Sequence, residues 1–268
     1  MPEQRKVVSV LGEGGFGRAE LNEDGTVTKV LRLSRTEMAR KEFLFAQKFE
    51  QYPQHFVKAL DFSISLQTMK CYLTMEYGGR ELFDVLFMLH KDANIEDDIF
   101  MQISQAVHHL HAHDVAHRDL KPENCVIDEY GVVRLIDFGL AKEVSPSEAV
   151  SFGNTERLGS PNYAAPEVFT RGGANDFGLD VWALGVMAFA IFFKAAPWET
   201  ARLSDNHFSG FVKMNEWEDG RTPSDMLIAM HGFNMPPWLR AVVDRTLLLQ
   251  APQRARKWVH CDFGNLHR

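Results

Sequence analysis

The chain has 268 residues, of which 45% are hydrophobic, and it carries a formal net charge of −7. This length and apolar content suffice for one large core or for two lobes, and the negative charge argues against a general nucleic-acid or anionic-membrane binder. The three cysteines, Cys71, Cys125 and Cys261, form no CxxC pair or disulfide framework, so we expect a reducing, cytoplasmic environment.

The amino-terminal region contains a glycine motif but no recognisable targeting segment. Residues 1–6 (Met-Pro-Glu-Gln-Arg-Lys) lack the apolar core of a signal peptide. Residues 12–17 read Gly-Glu-Gly-Gly-Phe-Gly and fit GxGxxG, a pattern that also occurs in dinucleotide folds, where a helix follows the last glycine. Here the glycine motif is followed instead by Asp24-Gly25, which is a hairpin signal, and then by a β-prone run at 26–31. We therefore predict strand, glycine turn, strand, turn and strand.

A lysine and a helix come next. Lys29 lies centrally in the predicted third strand among mainly apolar neighbours, which is a poor position for a solvated charge; an ordinary strand lysine is the alternative. Residues 36–49 have helical spacing, with apolar residues recurring at intervals of three. Ser34 or Thr36 could cap the start of this helix.

Two further segments have clear secondary-structure signals. Residues 71–79 predict a strand that runs into a flexible connector, or else an ordinary strand end with a Gly-Gly turn. Residues 99–113 predict an amphipathic helix. Within it, His109 and His113 have the i,i+4 spacing of a metal pair, but no HExxH motif accompanies them. We expect structural or solvated histidines there, since a metal site needs a third ligand and a supporting shell.

The most informative polar residues lie on two adjacent predicted loops. Residues 117–124 read His-Arg-Asp-Leu-Lys-Pro-Glu-Asn, and 137–139 read Asp-Phe-Gly. Residues 159–167 read Gly-Ser-Pro-Asn-Tyr-Ala-Ala-Pro-Glu, and 180–185 read Asp-Val-Trp-Ala-Leu-Gly. The apolar run at 181–193 is too short to span a bilayer comfortably and predicts a helix buried on all sides.

In their types and order, these motifs resemble those of eukaryotic protein kinases from about Val7 to Trp198, and weakly beyond. The loops and helix lengths look closest to the calcium/calmodulin-dependent group. The resemblance implies an α+β, two-lobed fold, with a five-stranded antiparallel sheet and one main helix above a mainly helical lobe. A single kinase domain would span residues 1–268, divided into an N-lobe at 1–76, a hinge at 77–80 and a C-lobe at 81–268.

The implied activity is transfer of the γ-phosphoryl group of ATP to serine or threonine hydroxyls of proteins, with Mg²⁺, or Mn²⁺ in its place, as the metal. No nucleic-acid or membrane partner is implied, and we expect a monomer. One alternative is a pseudokinase or scaffold module that binds nucleotide without turnover. Such modules normally lack the strand lysine, the catalytic aspartate or the metal-binding aspartate, whereas this chain has Lys29, Asp119 and Asp137 at these positions. Another is a small-molecule kinase, which would lack the Ala-Pro-Glu segment at 165–167.

The resemblance also implies roles in the chemistry. Lys29 would bind the α- and β-phosphates and pair with Glu42 on the next helix, with Glu37 as the runner-up. Asp119 would accept or orient the proton of the attacking hydroxyl. Lys121 would neutralise charge on the γ-phosphate as it moves. The implied metal ligands are Asn124 and Asp137.

The nucleotide would lie between the lobes. Met75 would gate the back of the adenine pocket, and backbone groups of 76–78 would meet the adenine edge. The family's valine and alanine around the adenine occur here in the reverse order, as Ala19 and Val27. The implied nucleotide-contacting residues are Leu11, Gly12, Gly14, Gly15, Phe16, Gly17, Ala19, Val27, Lys29, Met75, Glu76, Gly78, Glu81, Glu123 and Val126.

The resemblance also implies which substrates the protein would choose. Lys121, together with a Ser160 that contacts it and Asp119, matches the serine/threonine form. Glu81 and Glu123 also resemble acidic positions that bind basic residues upstream of the target in some relatives, which suggests a preference for basic sites.

Four further positions would organise the domain. Phe138 would pack inward and hold Asp137. Asp180 would anchor residues 117–124, which resemble the catalytic loop of the family and are called the catalytic loop below, from a buried helix. Glu167 would pair with Arg254 or Arg256. In the family, the arginine at the position of Arg118 commonly binds a phosphate on the loop that corresponds to residues 139–165 here. In this chain the partner of Arg118 would be either a phosphate on Thr155 or the fixed charge of Glu156. Alternatively, Glu156 is a surface glutamate with no part in this contact.

Overall fold

The β-prone runs of the first third form one antiparallel sheet. The computed structural model describes residues 5–14, 17–88, 95–145, 159–170, 175–216, 220–251 and 253–254. The strands are β1 (Val7–Gly14), β2 (Gly17–Asn22), β3 (Thr26–Arg32), β4 (Ala59–Ser65) and β5 (Lys70–Glu76). Their order is β1-β2-β3-β5-β4, and every neighbouring pair is antiparallel. The predicted five-stranded sheet is confirmed.

The Asp-Gly signal forms the predicted hairpin between β2 and β3. The backbone N–H of Gly25 donates to the carbonyl of Asn22 at 3.0 Å, and Gly25 has a left-handed φ of 79°. The carboxylate of Asp24 accepts from the backbone N–H of Thr26 at 3.0 Å. An aspartate that bonds to the backbone two residues on and a glycine with positive φ stabilise this turn locally.

The helix predicted at 36–49 is α1 (Thr36–Lys48), which packs on β3, β4 and β5. Ala39, Glu42 and Ala46 form its buried face. The predicted cap was wrong, because neither Ser34 nor Thr36 caps the helix. A 3₁₀ turn leads directly into α1, and the hydroxyl of Thr36 donates back to the carbonyl of Leu33 at 2.7 Å. Thr36 therefore lies inside the helix rather than before it.

The remaining described elements form a mainly helical lobe with two small sheets, β6-β8-β9 and β7-β10. The short strands are β6 (Arg80–Glu81), β7 (Val115–Ala116), β8 (Cys125–Ile127), β9 (Val133–Leu135) and β10 (Lys142–Glu143). The helices are α2 (Leu82–Met88), α3 (Glu96–Ala112), α4 (Asp176–Phe193), α5 (Asn206–Asn215), α6 (Pro223–His231) and α7 (Pro237–Thr246). The α+β, two-lobed fold is confirmed.

The apolar run at 181–193 lies in α4, which forms the centre of the helical lobe. By length and composition α4 could cross a membrane, but 83% of this window is buried inside the protein, so it fits the predicted core helix. The side chain of Asn175 caps its start by accepting from the N–H of Gly178 at 2.9 Å. Gly185 allows α7 to approach closely, because a Cβ there would collide with the side chain of Thr246.

His109 on α3 and His113, which directly follows α3, pack against the segment that follows α1. The Tyr52 hydroxyl lies 3.2 Å from Nε2 of His113, and the rings of His55 and His109 are 4.6 Å apart. Phe49 stacks on Phe138 at a centroid distance of 6.4 Å. This aromatic cluster therefore connects α1 and α3 with the residue next to Asp137. Among the described residues, no three His, Cys, Asp or Glu side chains are grouped so that they could hold a metal.

We predict that His55 makes stability depend on pH. Burial disfavours its charged form and, with the neighbouring His109, lowers the pKa of His55 from 6.5 to about 4. Between these values the unfolded chain takes up a proton that the folded chain does not, so His55 makes the folded state less stable as pH falls. Urea unfolding of His55→Gln should show a shallower loss of stability than wild type between about pH 6.5 and 4. The exposed His108→Gln is the control, and equal slopes in wild type and His55→Gln would contradict the prediction.

Candidate active site

The upper wall of the cleft is built around Lys29 on β3. Its ammonium group lies 2.8 and 3.0 Å from the two carboxylate oxygens of Glu42 on α1. It also lies 3.2 Å from a carboxylate oxygen of Asp137. The predicted pairing of Lys29 with Glu42 is therefore present. Glu37, the runner-up, is exposed.

The electrostatics of this cluster favour a permanently charged lysine. Burial alone would favour the neutral amine, but the carboxylates of Glu42 and Asp137 outweigh it, so the pKa of Lys29 is raised. Burial also opposes the charged form of Asp137, but the charge of Lys29 keeps the pKa of Asp137 below its usual range. Burial raises the pKa of Glu42, so the cluster secures the positive charge of Lys29 more firmly than the negative charge of Glu42.

The lower wall is the loop at 117–124, which is held in place by α4. The buried carboxylate of Asp180 accepts from the backbone N–H of His117 at 2.8 Å and of Arg118 at 2.7 Å. It also lies 2.8 Å from the ring of His111 on α3. Arg118 has a left-handed φ of 68°, a conformation that a non-glycine residue adopts only when its surroundings impose it. The predicted anchoring by Asp180 is present.

Asp119, Lys121 and Ser160 meet on this loop. The Oδ1 atom of Asp119 accepts from the backbone N–H of Ser160 at 2.9 Å and lies 3.2 Å from its hydroxyl. The ammonium of Lys121 donates to the same hydroxyl at 2.8 Å and lies 3.5 Å from the carboxylate of Asp119. Ser160 thus contacts both residues, as the sequence predicts. The arrangement places a carboxylate and an ammonium side by side at the edge of the cleft.

Asn124 and Asp137 offer the donor set that Mg²⁺ prefers. The amide nitrogen of Asn124 donates to the backbone carbonyl of Asp119 at 2.8 Å and to its carboxylate at 3.0 Å, which leaves the amide oxygen to act as a ligand. The Oδ1 atom of Asp137 accepts from the N–H of Gly139 at 3.2 Å. One carboxylate and one neutral oxygen fit a magnesium ion that keeps water ligands and binds phosphate oxygens.

Phe138 packs inward, as the sequence predicts. Its side chain is buried, and its ring lies 5.9 Å from that of Phe56 and 5.4 Å from that of His117. Asp137, immediately before it, has a left-handed φ of 65°. The buried phenyl ring therefore fixes the direction of the backbone that carries the Asp137 carboxylate.

The sheet supplies an apolar face next to Lys29. Strand pairing sets Ala19 opposite Lys29 and Met75 opposite Val27, and directly opposed residues share one face of a sheet. Ala19 lies on the face of Lys29 because the two are paired, and Val27 lies there because it is two residues before Lys29 on the same strand. Both therefore flank Lys29 despite their reversed order in the sequence. Leu11 lies exposed on β1.

The glycines at the tip of this face lie in open space. A Cβ at Gly12 or Gly14 would meet no atom within 4 Å, so no contact within the described residues requires glycine there. Gly17, at the start of β2, lies directly against the backbone of Val30, where a Cβ would collide. Gly15 and Phe16 lie outside the described residues.

The connector at 76–79 forms the back of the cleft. The N–H of Glu76 donates to the carbonyl of Lys58 at 3.0 Å, so only its carbonyl is left to face a ligand. A Cβ at Gly78 would collide with the side chains of Val57 and Val126. Val126 on β8 therefore lies directly against the connector. Of the predicted hinge at 77–80, Gly78 is thus brought against Val126.

Two acidic side chains lie close together here: Glu123 belongs to the loop at 117–124, and Glu81 on β6 lies near it. Burial raises the pKa of Glu81, the carboxylates of Asp84 and Glu123 raise it further, and Lys121 opposes the shift. The Oε2 atom of Glu123 is buried and has no hydrogen-bond partner within the described part of the chain. A buried carboxylate oxygen of this kind favours a cationic partner.

Glu167 pairs with Arg254, which settles the choice between two arginines. The guanidinium of Arg254 is fully buried, contacts the Glu167 carboxylate and lies 5.1 Å from the ring centre of Trp182. Arg256 lies outside the described residues, as do Thr155 and Glu156, the two predicted partners of Arg118.

One contact of the catalytic loop was not predicted. Asp176, at the first position of α4, lies 3.5 Å from the guanidinium of Arg118. Its other oxygen accepts from the ammonium of Lys142 on β10 at 3.1 Å. The available signal was an acidic residue four positions before Asp180, on the same face of an otherwise uncharged helix.

Comparison with known proteins agrees with this geometry. Residues 5–255 match the family described as Protein kinase domain. The chain belongs to this family. Serine/threonine-protein kinase CHK1 of Saccharomyces cerevisiae is 32% identical over 179 residues, which cover 65% of this chain and 33% of that protein.

Two other relatives extend the likeness. The carbon catabolite-derepressing protein kinase of S. cerevisiae is 32% identical over 209 residues, covering 72% of this chain and 31% of that protein. Maternal embryonic leucine zipper kinase of Danio rerio is 32% identical over 257 residues, which cover 90% of this chain and 36% of that protein. Both belong to the calcium/calmodulin-related group, so the predicted resemblance is confirmed. The chain spans about a third of the length of these curated relatives.

We predict that Glu42→Gln lowers kcat/KM for ATP by roughly tenfold to a hundredfold, because it removes one charge of a buried pair and leaves Lys29 held by Asp137 alone. The measurement is steady-state phosphate transfer at varied ATP. Glu37→Gln, an exposed change of the same kind on the same helix, is the control and should behave as wild type. Equal losses in both variants would contradict a special role for the Glu42 pair.

Proposed function

We propose that this domain transfers the γ-phosphoryl group of Mg-ATP to serine or threonine hydroxyls of protein substrates. The observation that carries the proposal is the convergence of two walls on one cleft. Lys29, held by Glu42 and Asp137, forms one wall, and Asp119, in contact with Lys121, forms the other. Phosphoryl transfer depends mainly on positioning and on neutralising charge, which such an arrangement supplies.

Each residue has a role in this proposal. Lys29 binds the α- and β-phosphates, and Lys121 neutralises charge on the γ-phosphate as it leaves ADP. Asp119 orients the attacking hydroxyl and accepts its proton, because its carboxylate lies on the loop beside Lys121. Asn124 and Asp137 hold the metal, which supplies neutralisation of phosphate charge when bound.

Serine or threonine as the acceptor is supported by Lys121 and Ser160. In the serine/threonine form of the family motif, a hydroxyl residue contacts the catalytic aspartate and this lysine. Here Ser160 makes both contacts, at 3.2 and 2.8 Å. The CHK1 relative is also named as a serine/threonine-protein kinase.

A pseudokinase is disfavoured by the same geometry. Lys29, Asp119 and Asp137 are all present, and each of the three side chains makes charged or hydrogen-bonded contacts to other residues of the site. A scaffold without turnover would have no need for this complete set.

We predict that Asp119→Asn and Asp137→Ala each lower phosphate transfer by about 10²- to 10⁴-fold, since one removes the proton acceptor and the other a metal ligand. Transfer from radiolabelled ATP with Mg²⁺ would be measured on matched peptides that carry serine, threonine or tyrosine. Asp61→Asn, an exposed change on β4, is the control. Robust transfer by the Asp119→Asn/Asp137→Ala double variant, or a preference for tyrosine, would overturn the proposal.

We also propose that the enzyme prefers basic residues upstream of the acceptor. The support is the buried, unpaired Oε2 atom of Glu123 within the described residues, next to Glu81. On a peptide array, arginine or lysine before the acceptor should raise the rate, and Glu123→Gln should reduce this selectivity about tenfold. Glu129→Gln, an exposed change in the following turn, should leave it intact. An array without basic selectivity in the wild type would refute the preference.

A further inference from the structure

Helix α4 carries two buried carboxylates one turn apart, at Asp176 and Asp180. Both side chains are fully buried, and α4 contains no other charged residue. Residues at i and i+4 lie on the same face of a helix, so both carboxylates face the same neighbours. Because a buried carboxylate is costly unless it is paired, the contacts of Asp176 indicate what it does.

The two carboxylates hold different parts of the same residue. Asp180 accepts from the backbone N–H of Arg118, whereas Asp176 lies 3.5 Å from its guanidinium. Arg118 has a left-handed backbone and immediately precedes Asp119. Contacts to both its backbone and its side chain limit rotation of the loop at this point. A shift of Arg118 would move the carboxylate of Asp119 with it.

Asp176 also holds the strand next to the loop. The ammonium of Lys142 on β10 donates to Asp176 at 3.1 Å. Lys142 pairs with Ala116 on β7, which leads directly into the catalytic loop. The Asp176 carboxylate therefore ties α4 to two points on either side of His117, one through Lys142 and one through Arg118.

Without Asp176, the positive charges at this point would repel one another. Lys41 on α1 is close enough to Arg118 and Lys142 to be affected by their charges. Burial lowers the pKa of Lys41, the charges of Arg118 and Lys142 lower it further, and the charge of Glu37 opposes this shift. Three cations from three separate elements thus share this region. A buried carboxylate between two of them offsets the repulsion, which water screens little because the side chain of Arg118 is only 15% exposed.

We propose that Asp176 is a positioning residue that fixes Arg118, and through it Asp119, so that phosphate transfer does not require a phosphate on the segment after β10. The proposal deepens the proposed kinase function and rests on it. Arg118 has an internal anionic partner on a core helix, in addition to any charge that the loop between 139 and 165 brings.

A purely structural role must be distinguished, because an acidic residue at the start of a helix stabilises the helix by itself. Asp225 offers a matched control: it lies in the first turn of α6, belongs to a capping box and pairs with Arg240. Asp225→Asn therefore removes the same kind of charge from a helix start that does not carry the catalytic loop. Asp176→Asn keeps the shape of the side chain and removes its charge.

The first experiment measures amide hydrogen exchange in the full chain, which does not depend on turnover. Asp176→Asn should lose protection at residues 116–121 by about tenfold or more, whereas Asp225→Asn should leave these amides unchanged. Unchanged protection of 116–121 in Asp176→Asn would overturn the inference, whatever the outcome for activity.

The second experiment measures kinetics after phosphatase treatment, with mass spectrometry to verify that no phosphate remains. Phosphate-free wild type should transfer phosphate, and Asp176→Asn should lower kcat about tenfold with KM for ATP changed less than about twofold. Asp176→Asn should have no further effect in the Arg118→Gln background, since the residue acts through Arg118. Asp225→Asn should keep the wild-type kcat.

Three results would overturn the inference while leaving the kinase function in place. They are activity of wild type only when phosphorylated, an unchanged kcat in Asp176→Asn, and additive losses in the Asp176→Asn/Arg118→Gln double variant. If wild type transfers no phosphate in either state, the proposed function fails, and hydrogen exchange alone decides whether Asp176 holds the loop.

Discussion

Three donors converge on the carboxylate of Asp180, and the lower half of the active site depends on them. Two are backbone N–H groups of the catalytic loop and the third is the ring of His111. A buried carboxylate keeps its charge only when such donors surround it, so the loop and the helix stabilise each other. The loop reaches its strained left-handed geometry at Arg118 because α4 is fixed by the apolar core around it.

The upper half depends on a different constraint, a lysine shared by two carboxylates on separate elements. Lys29 belongs to the sheet, Glu42 to α1, and Asp137 to the segment after β9. Displacement of α1 would separate Glu42 from Lys29 and would also disturb Phe49, which stacks on Phe138. The position of one helix is therefore coupled both to Lys29 and to Phe138, the residue that packs inward next to Asp137.

The sequence predicted those features whose determinants are local. The Asp24-Gly25 hairpin follows from the two residues themselves, whereas the roles expected of Lys29 and of the loop at 117–124 come from motifs that resemble those of a known family. The cap of α1 could not be predicted correctly, because a 3₁₀ turn before the helix shifts its start. Asp176 was missed because its partners lie 34 and 58 positions away along the chain, and no local pattern specifies them.

For a similar reason the sequence left open whether Arg254 or Arg256 pairs with Glu167, since packing against the distant Trp182 helps to place Arg254. That pairing also bears on how the chain folds during synthesis. Glu167 and Arg254 are 87 residues apart, whereas the strands of the upper sheet pair with partners that are mostly close in sequence. Contacts between distant residues form late, because the intervening chain must first be ordered. We expect the upper sheet to assemble while the ribosome is still translating, and the helical lobe to close only after residue 254 has emerged from the exit tunnel.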